Sequence, residues 1–137
     1  MKLTESELRR RILEAFLTER TDLDTIYLGF LVRRGLKFGP SSSYVGEILS
    51  KFDNFERVAK KLVIRGHRKS MWRLKYAKFK VIGNVMDNPG CDIEVGADGK
   101  INKVIGGDDI YQYKWLYRDV GEFREWVRKS GMRMELI

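Results

Sequence analysis

A chain of 137 residues with 43% hydrophobic and 34% charged side chains is long enough to bury a core and too apolar to stay unfolded. No apolar run in it approaches the length a membrane span needs, and one Cys91 with one His67 cannot build an internal disulfide or a Cys/His zinc site. The net charge of +8 directs attention to polyanionic partners.

The opening Met1-Lys2-Leu3-Thr4-Glu5 lacks the apolar stretch of a signal peptide, which predicts a cytoplasmic protein with no membrane partner. High charge with a single glutamine and four asparagines gives the composition a thermophile-like cast.

Thr4 with Glu7 forms a capping box, and Leu8, Ile12, Ala15 and Phe16 follow at helical spacing, so a first helix is expected over roughly 5–18. A second start signal stands at Thr21 or Asp22. Leu23, Ile26, Tyr27, Phe30 and Leu31 are the expected apolar face of that helix, and Gly35 ends it. After Gly39-Pro40, Ser41 to Ser43 offer N-caps for a third helix whose inward face is Val45, Ile48, Leu49 and Phe52. The period then falls to two. Val58, Leu62 and Ile64, and later Trp72, Leu74 and Tyr76, predict two strands around the loop Arg65-Gly66-His67-Arg68-Lys69.

The charge is uneven. Residues 1–76 hold 17 Lys/Arg against 9 Asp/Glu, a net +8, whereas residues 77–137 hold 10 of each, a net of zero. Between Arg57 and Lys75 lie eight cations and no acid: Arg57, Lys60, Lys61, Arg65, Arg68, Lys69, Arg73 and Lys75.

Three short helices followed by a two-stranded ribbon with a basic tip resemble the winged-helix DNA-binding family over residues 1–77. The resemblance rests on element order and pattern. It implies a third helix in the major groove of duplex DNA and a wing along the backbone or adjacent minor groove, with Ser42, Ser43, Tyr44, Glu47, Ser50 and Lys51 as groove-facing candidates and Asn54 at the margin. Serine and glutamate can read base edges, and Gly46 removes a side chain where backbone and groove approach. No arginine or glutamine stands on this face to make a bidentate base contact, and Glu47 could repel phosphate. Arg57, Lys60, Lys61, Arg65, His67, Arg68 and Lys69 are the candidate phosphate contacts.

Residues 78–137 read as a small antiparallel α+β unit, with strands expected at 79–86, 92–95, 101–105 and 110–117, a helix at 119–130 capped by Asp119, and a last strand from Met132. Tyr111, Tyr113, Trp115 and Tyr117 are expected on one face of one strand, as core, as a dimer interface or as a stacking platform. The unit's marginal size favours a homodimer through this half.

The acids Asp87, Asp92, Glu94, Asp98, Asp108 and Asp109 with Lys100 would suit a metal-dependent nuclease only if they converged, and several stand in turns that favour them for backbone reasons. No nucleotide-binding loop or nucleophilic constellation is present in the sequence, so no catalytic residue, metal or cofactor is expected. The whole reads as an α+β protein that regulates transcription by binding duplex DNA; an RNA-binding or protein-recruiting module is the alternative.

Overall fold

The three helices that open the chain are each started by a polar side chain. Thr4 Oγ1 accepts from the Glu7 N–H at 3.2 Å and starts α1, Glu5–Glu19. The Asp24 carboxylate accepts from the N–H groups of Ile26 and Tyr27, both at 2.9 Å, and starts α2, Thr25–Val32. Ser41 Oγ accepts from the Tyr44 N–H at 3.1 Å and starts α3, Ser42–Lys51.

The computed structural model describes residues 3–64, 67–83, 90–107 and 113–137, with backbone alone for 59–64 and 67–69. It is an α+β fold with two antiparallel sheets. The chain divides into two compact units, Met1–Lys75 and Tyr76–Ile137. The division falls two residues ahead of the expected 77/78 boundary, because Ala77 already opens the first strand of the second unit.

In the first unit, β1 (Leu23–Asp24) precedes α2, and β2 (Phe55–Ile64) and β3 (His67–Leu74) follow α3, in the sheet order β1-β3-β2. The core is made by Leu8, Ile12, Leu13, Phe16 and Leu17 of α1, Leu28 and Val32 of α2, Val45, Ile48 and Leu49 of α3, and Phe55, Trp72 and Leu74 of the sheet. Full burial of each such side chain contributes roughly 1.5–3 kcal/mol.

Helix α2 departs from expectation. Its N-cap is Asp24 and not Thr21 or Asp22, since Leu23 and Asp24 are drawn into the sheet opposite Trp72 and Met71. Ile26, Tyr27 and Phe30, expected inside, lie outside, and Leu28 and Val32 are buried in their place. The stretch Thr25–Val32 is apolar nearly all round, so its own pattern does not choose a face.

The second unit is a four-stranded sheet in the order β6-β5-β4-β7, made of β4 (Ala77–Ile82), β5 (Cys91–Val95), β6 (Ile101–Ile105) and β7 (Arg133–Leu136). Helix α4, Val120–Lys129, is capped by Asp119, which accepts from the N–H groups of Gly121 and Glu122. Phe123 meets Trp115 edge-on at 5.0 Å, and the Arg124 guanidinium lies 4.7 Å over the Phe79 ring of the sheet.

The strand expected at 110–117 is not one in its described part. Residues 113–115 are helical, Tyr117 is left-handed at φ 65°, and the aromatic row is broken: Trp115 is buried, whereas Tyr113 and Tyr117 are exposed. Alternating aromatics fit a strand only where their neighbours provide a pleated surface. Here Trp115 turns inward onto Phe123 and Trp126, while Tyr117 donates its N–H to the Ile101 carbonyl. Tyr111 lies outside the described residues.

Candidate nucleic-acid interface

Helix α3 buries Val45, Ile48 and Leu49 and turns the opposite face to solvent. Ser42, Ser43, Glu47 and Ser50 are exposed there, with the half-buried Gly46 among them. Ser43, Gly46, Glu47 and Ser50, at i, i+3, i+4 and i+7, form one strip. A Cβ built at Gly46 would lie 3.9 Å from the Thr25 methyl, an ordinary contact. Packing within the unit therefore does not require a glycine there.

Three candidates next to this strip already have partners. The Tyr44 hydroxyl donates to the Leu3 carbonyl at 3.0 Å, which ties α3 to the start of the chain. Lys51 Nζ is 2.6 Å from a Glu5 carboxylate oxygen, and that hydrogen bond raises the lysine's pKa above its usual value. Asn54, expected at the margin of the outward face, is instead buried, where its side-chain oxygen accepts from Arg9 Nε at 3.1 Å and its carbonyl from the Lys75 N–H. Phe52 is half-buried and has Arg9 over its ring at 5.1 Å.

The hairpin begins at Phe55, three residues before Val58. Phe55, Glu56, Arg57 and Val58 pair with Leu74, Arg73, Trp72 and Met71; the register then shifts before Leu62, Val63 and Ile64 pair with Lys69, Arg68 and His67. His67, Arg68 and Lys69 thus stand in β3 and not in a loop. Strand β1 pairs with β3 only as far as Met71, so beyond that point the sheet narrows to a two-stranded ribbon.

The described cations at the base of the hairpin are engaged. Arg73 forms a two-pronged pair with Asp22 that raises its pKa further, Lys75 lies 3.3 Å from Asp53, and the exposed Arg57 places its guanidinium 5.4 Å over Trp72. Lys60, Lys61, His67, Arg68 and Lys69 belong to the ribbon by backbone position, and their side chains lie outside what is described. Arg65 and Gly66 lie outside the described residues altogether.

The described acids among those that suggested a metal site do not gather. Asp92 stands opposite Lys80, Glu94 opposite Lys78 and Lys103, and Asp98 accepts from the Lys100 N–H inside a turn. Among the described residues no three His, Cys, Asp or Glu side chains converge to hold a metal; Asp87, Asp108 and Asp109 lie outside them. No described helix is long and apolar enough to cross a membrane.

Sequence reading missed the surface of α2. Ile26, Tyr27 and Phe30 are exposed beside Arg33, Arg34 and Lys37, and the signal was available in eight consecutive, mostly apolar residues, more than one face of a short helix can bury. Compared with protein-family models, curated proteins and solved structures, the chain matches none.

Proposed function

We propose that the first unit is a winged-helix domain that binds duplex DNA and that the protein regulates transcription without catalysing a reaction. The observation that carries this reading is the ribbon. The elements run α1-β1-α2-α3-β2-β3 with β3 central, and the hairpin continues past its last partner in β1 with Lys60, Lys61, Arg68 and Lys69 in its strands. In this reading α3 enters the major groove with Ser43, Gly46, Glu47 and Ser50 toward the bases, and the ribbon follows the phosphates.

The engagement of Arg73 and Lys75 with Asp22 and Asp53 supports a division of labour. Cations at the base of the hairpin hold the unit together, and those farther out contact DNA. Homodimerisation through the second unit accompanies this proposal: β7 is a four-residue edge strand, and Ile137 just beyond it is exposed. Sedimentation equilibrium tests that part, and a monomer at working concentration contradicts it.

Titrating a labelled duplex, the matching single strand and an RNA of the same sequence, at low and at near-physiological salt, tests the partner. Tightest binding to the duplex, with strong salt dependence, is the expected result. Preference for RNA or the single strand would replace the reading with that of an RNA-binding module.

A further inference from the structure

The outer face of α2 carries a cluster that the DNA reading does not use. Ile26 is 53% exposed, Tyr27 43% and Phe30 63%, while Phe38, in the loop beyond, is 78% exposed. The rings of Tyr27 and Phe30 lie nearly parallel at 6.5 Å. The loop folds back along the helix: a Cβ at Gly39 would fall 2.7 Å from the Arg33 Cβ, and one at Gly29 would fall 3.7 Å from the Pro40 carbonyl oxygen. Gly39, the residue after Phe38, is thereby brought against Arg33 at the C-cap of α2. Large apolar side chains grouped on a surface mark an interaction site, whereas scattered ones do not.

The charge around the cluster selects the occupant. Between Thr25 and Pro40 stand Arg33, Arg34 and Lys37 and no acid. Arg33 lies 5.7 Å over the Phe30 ring and Lys37 5.7 Å over the Phe38 ring. The Arg11 guanidinium adds a fourth cation at the helix end, donating to the carbonyls of Val32 at 2.9 Å and Arg34 at 2.8 Å, which also fixes the turn. A second copy of the chain fits poorly, since a two-fold contact would set this cationic fringe against itself. A nucleic-acid strand fits less well than a protein, because Ile26, one of the four apolar side chains, has no face for a base to stack on.

We propose that the α2 face docks an acidic, apolar segment of a partner protein, its hydrophobic side chains seated on Ile26, Tyr27, Phe30 and Phe38 and its carboxylates paired with Arg33, Arg34 and Lys37. Helix-on-face recognition of this kind uses anchors at i, i+3 or i+4 with charged flanks. It is independent of the DNA reading, since none of these residues belongs to the α3 strip or the ribbon.

The test is selection of displayed random peptides of about 16 residues, four helical turns, against the whole protein. Two variants accompany it: one with Tyr27→Ser, Phe30→Ser and Phe38→Ser, and one with Arg33→Glu and Lys37→Glu. All five side chains are exposed, and circular dichroism with a melting curve checks that both variants fold. Enriched peptides are expected to combine aromatic or aliphatic residues with Asp and Glu and to bind the serine variant about tenfold more weakly or worse, a loss of at least about 1.4 kcal/mol. The charge-reversed variant is expected to lose them and to enrich basic peptides instead. Peptides without acidic bias, equal binding to the serine variant, or no enrichment would each overturn the proposal. So would a dimer in sedimentation equilibrium that the serine substitutions abolish, which would assign the face to a second copy, or a loss of oligo(dT) affinity in that variant, which would assign it to nucleic acid.

Discussion

Arg73 donates from Nε and Nη2 to the two carboxylate oxygens of Asp22, at 3.0 and 3.2 Å, and so ties β3 to the residue just before β1. Both partners are partly exposed, so the pair adds modestly to stability and is weakened by salt. Its larger consequence is to withdraw one cation from the basic run. Arg73→Ala is expected to lower the melting temperature slightly and to leave the salt dependence of duplex binding unchanged. A log–log slope shallower by about one would mean that Arg73 exchanges Asp22 for a phosphate in the complex.

Gly46 separates the stability of α3 from its use. Room exists for a methyl group beside Thr25, so Gly46→Ala is expected to stabilise the folded protein by about 0.5–1 kcal/mol, read by urea unfolding. If the helix backbone approaches the groove at this point, the same substitution weakens duplex binding severalfold. Unchanged affinity would show that the groove does not come this close.

Much of the first unit was legible in the chain. Thr4 and Ser41 start helices, and Leu8, Ile12 and Phe16, then Val45, Ile48 and Leu49, are buried as their spacing demands. The rest was hidden for identifiable reasons. A two-residue strand such as β1 has no period to read, and once Leu23 pairs with Trp72 the cap passes to Asp24. Helix α2 is apolar on too many sides for its wheel to choose a face, so the choice of Leu28 and Val32 belongs to the tertiary packing. Asn54 sits at helical spacing from Glu47 and Ser50, but the chain has left the helix by then and the side chain turns inward to Arg9.

The row Tyr111, Tyr113, Trp115 and Tyr117 failed similarly. Its period of two was correct arithmetic over a segment whose described part is a helical turn at 113–115 followed by a left-handed Tyr117, with Trp115 turned onto Phe123 and Trp126. At the candidate interface, residue type was legible but engagement was not. Nothing in the spacing says that Tyr44 reaches Leu3 or that Lys51 pairs with Glu5, 46 positions away.

Cys91, at the start of β5, is buried, and burial, with Asp92 beside it, pushes its thiol up to about 11. The charged form is the one disfavoured, so thiolate appears only as the pH rises toward that value. At pH 8 the folded protein is expected to carry roughly a hundredfold less thiolate than an ordinary cysteine and to react with iodoacetamide correspondingly slowly, with ordinary reactivity restored in denaturant. Rapid alkylation of the folded protein at pH 8 would contradict the buried placement.

The central claim is that the cations of the β2–β3 ribbon grip the DNA backbone. The most direct measurement is the salt dependence of duplex affinity for the native protein and for the variant with Arg65→Ala, Arg68→Ala and Lys69→Ala. About four phosphate contacts predict a native log–log slope near −3.6; removing three should reduce it to roughly −1 and weaken binding to all sequences alike. An unchanged slope and affinity in the triple variant would contradict the account.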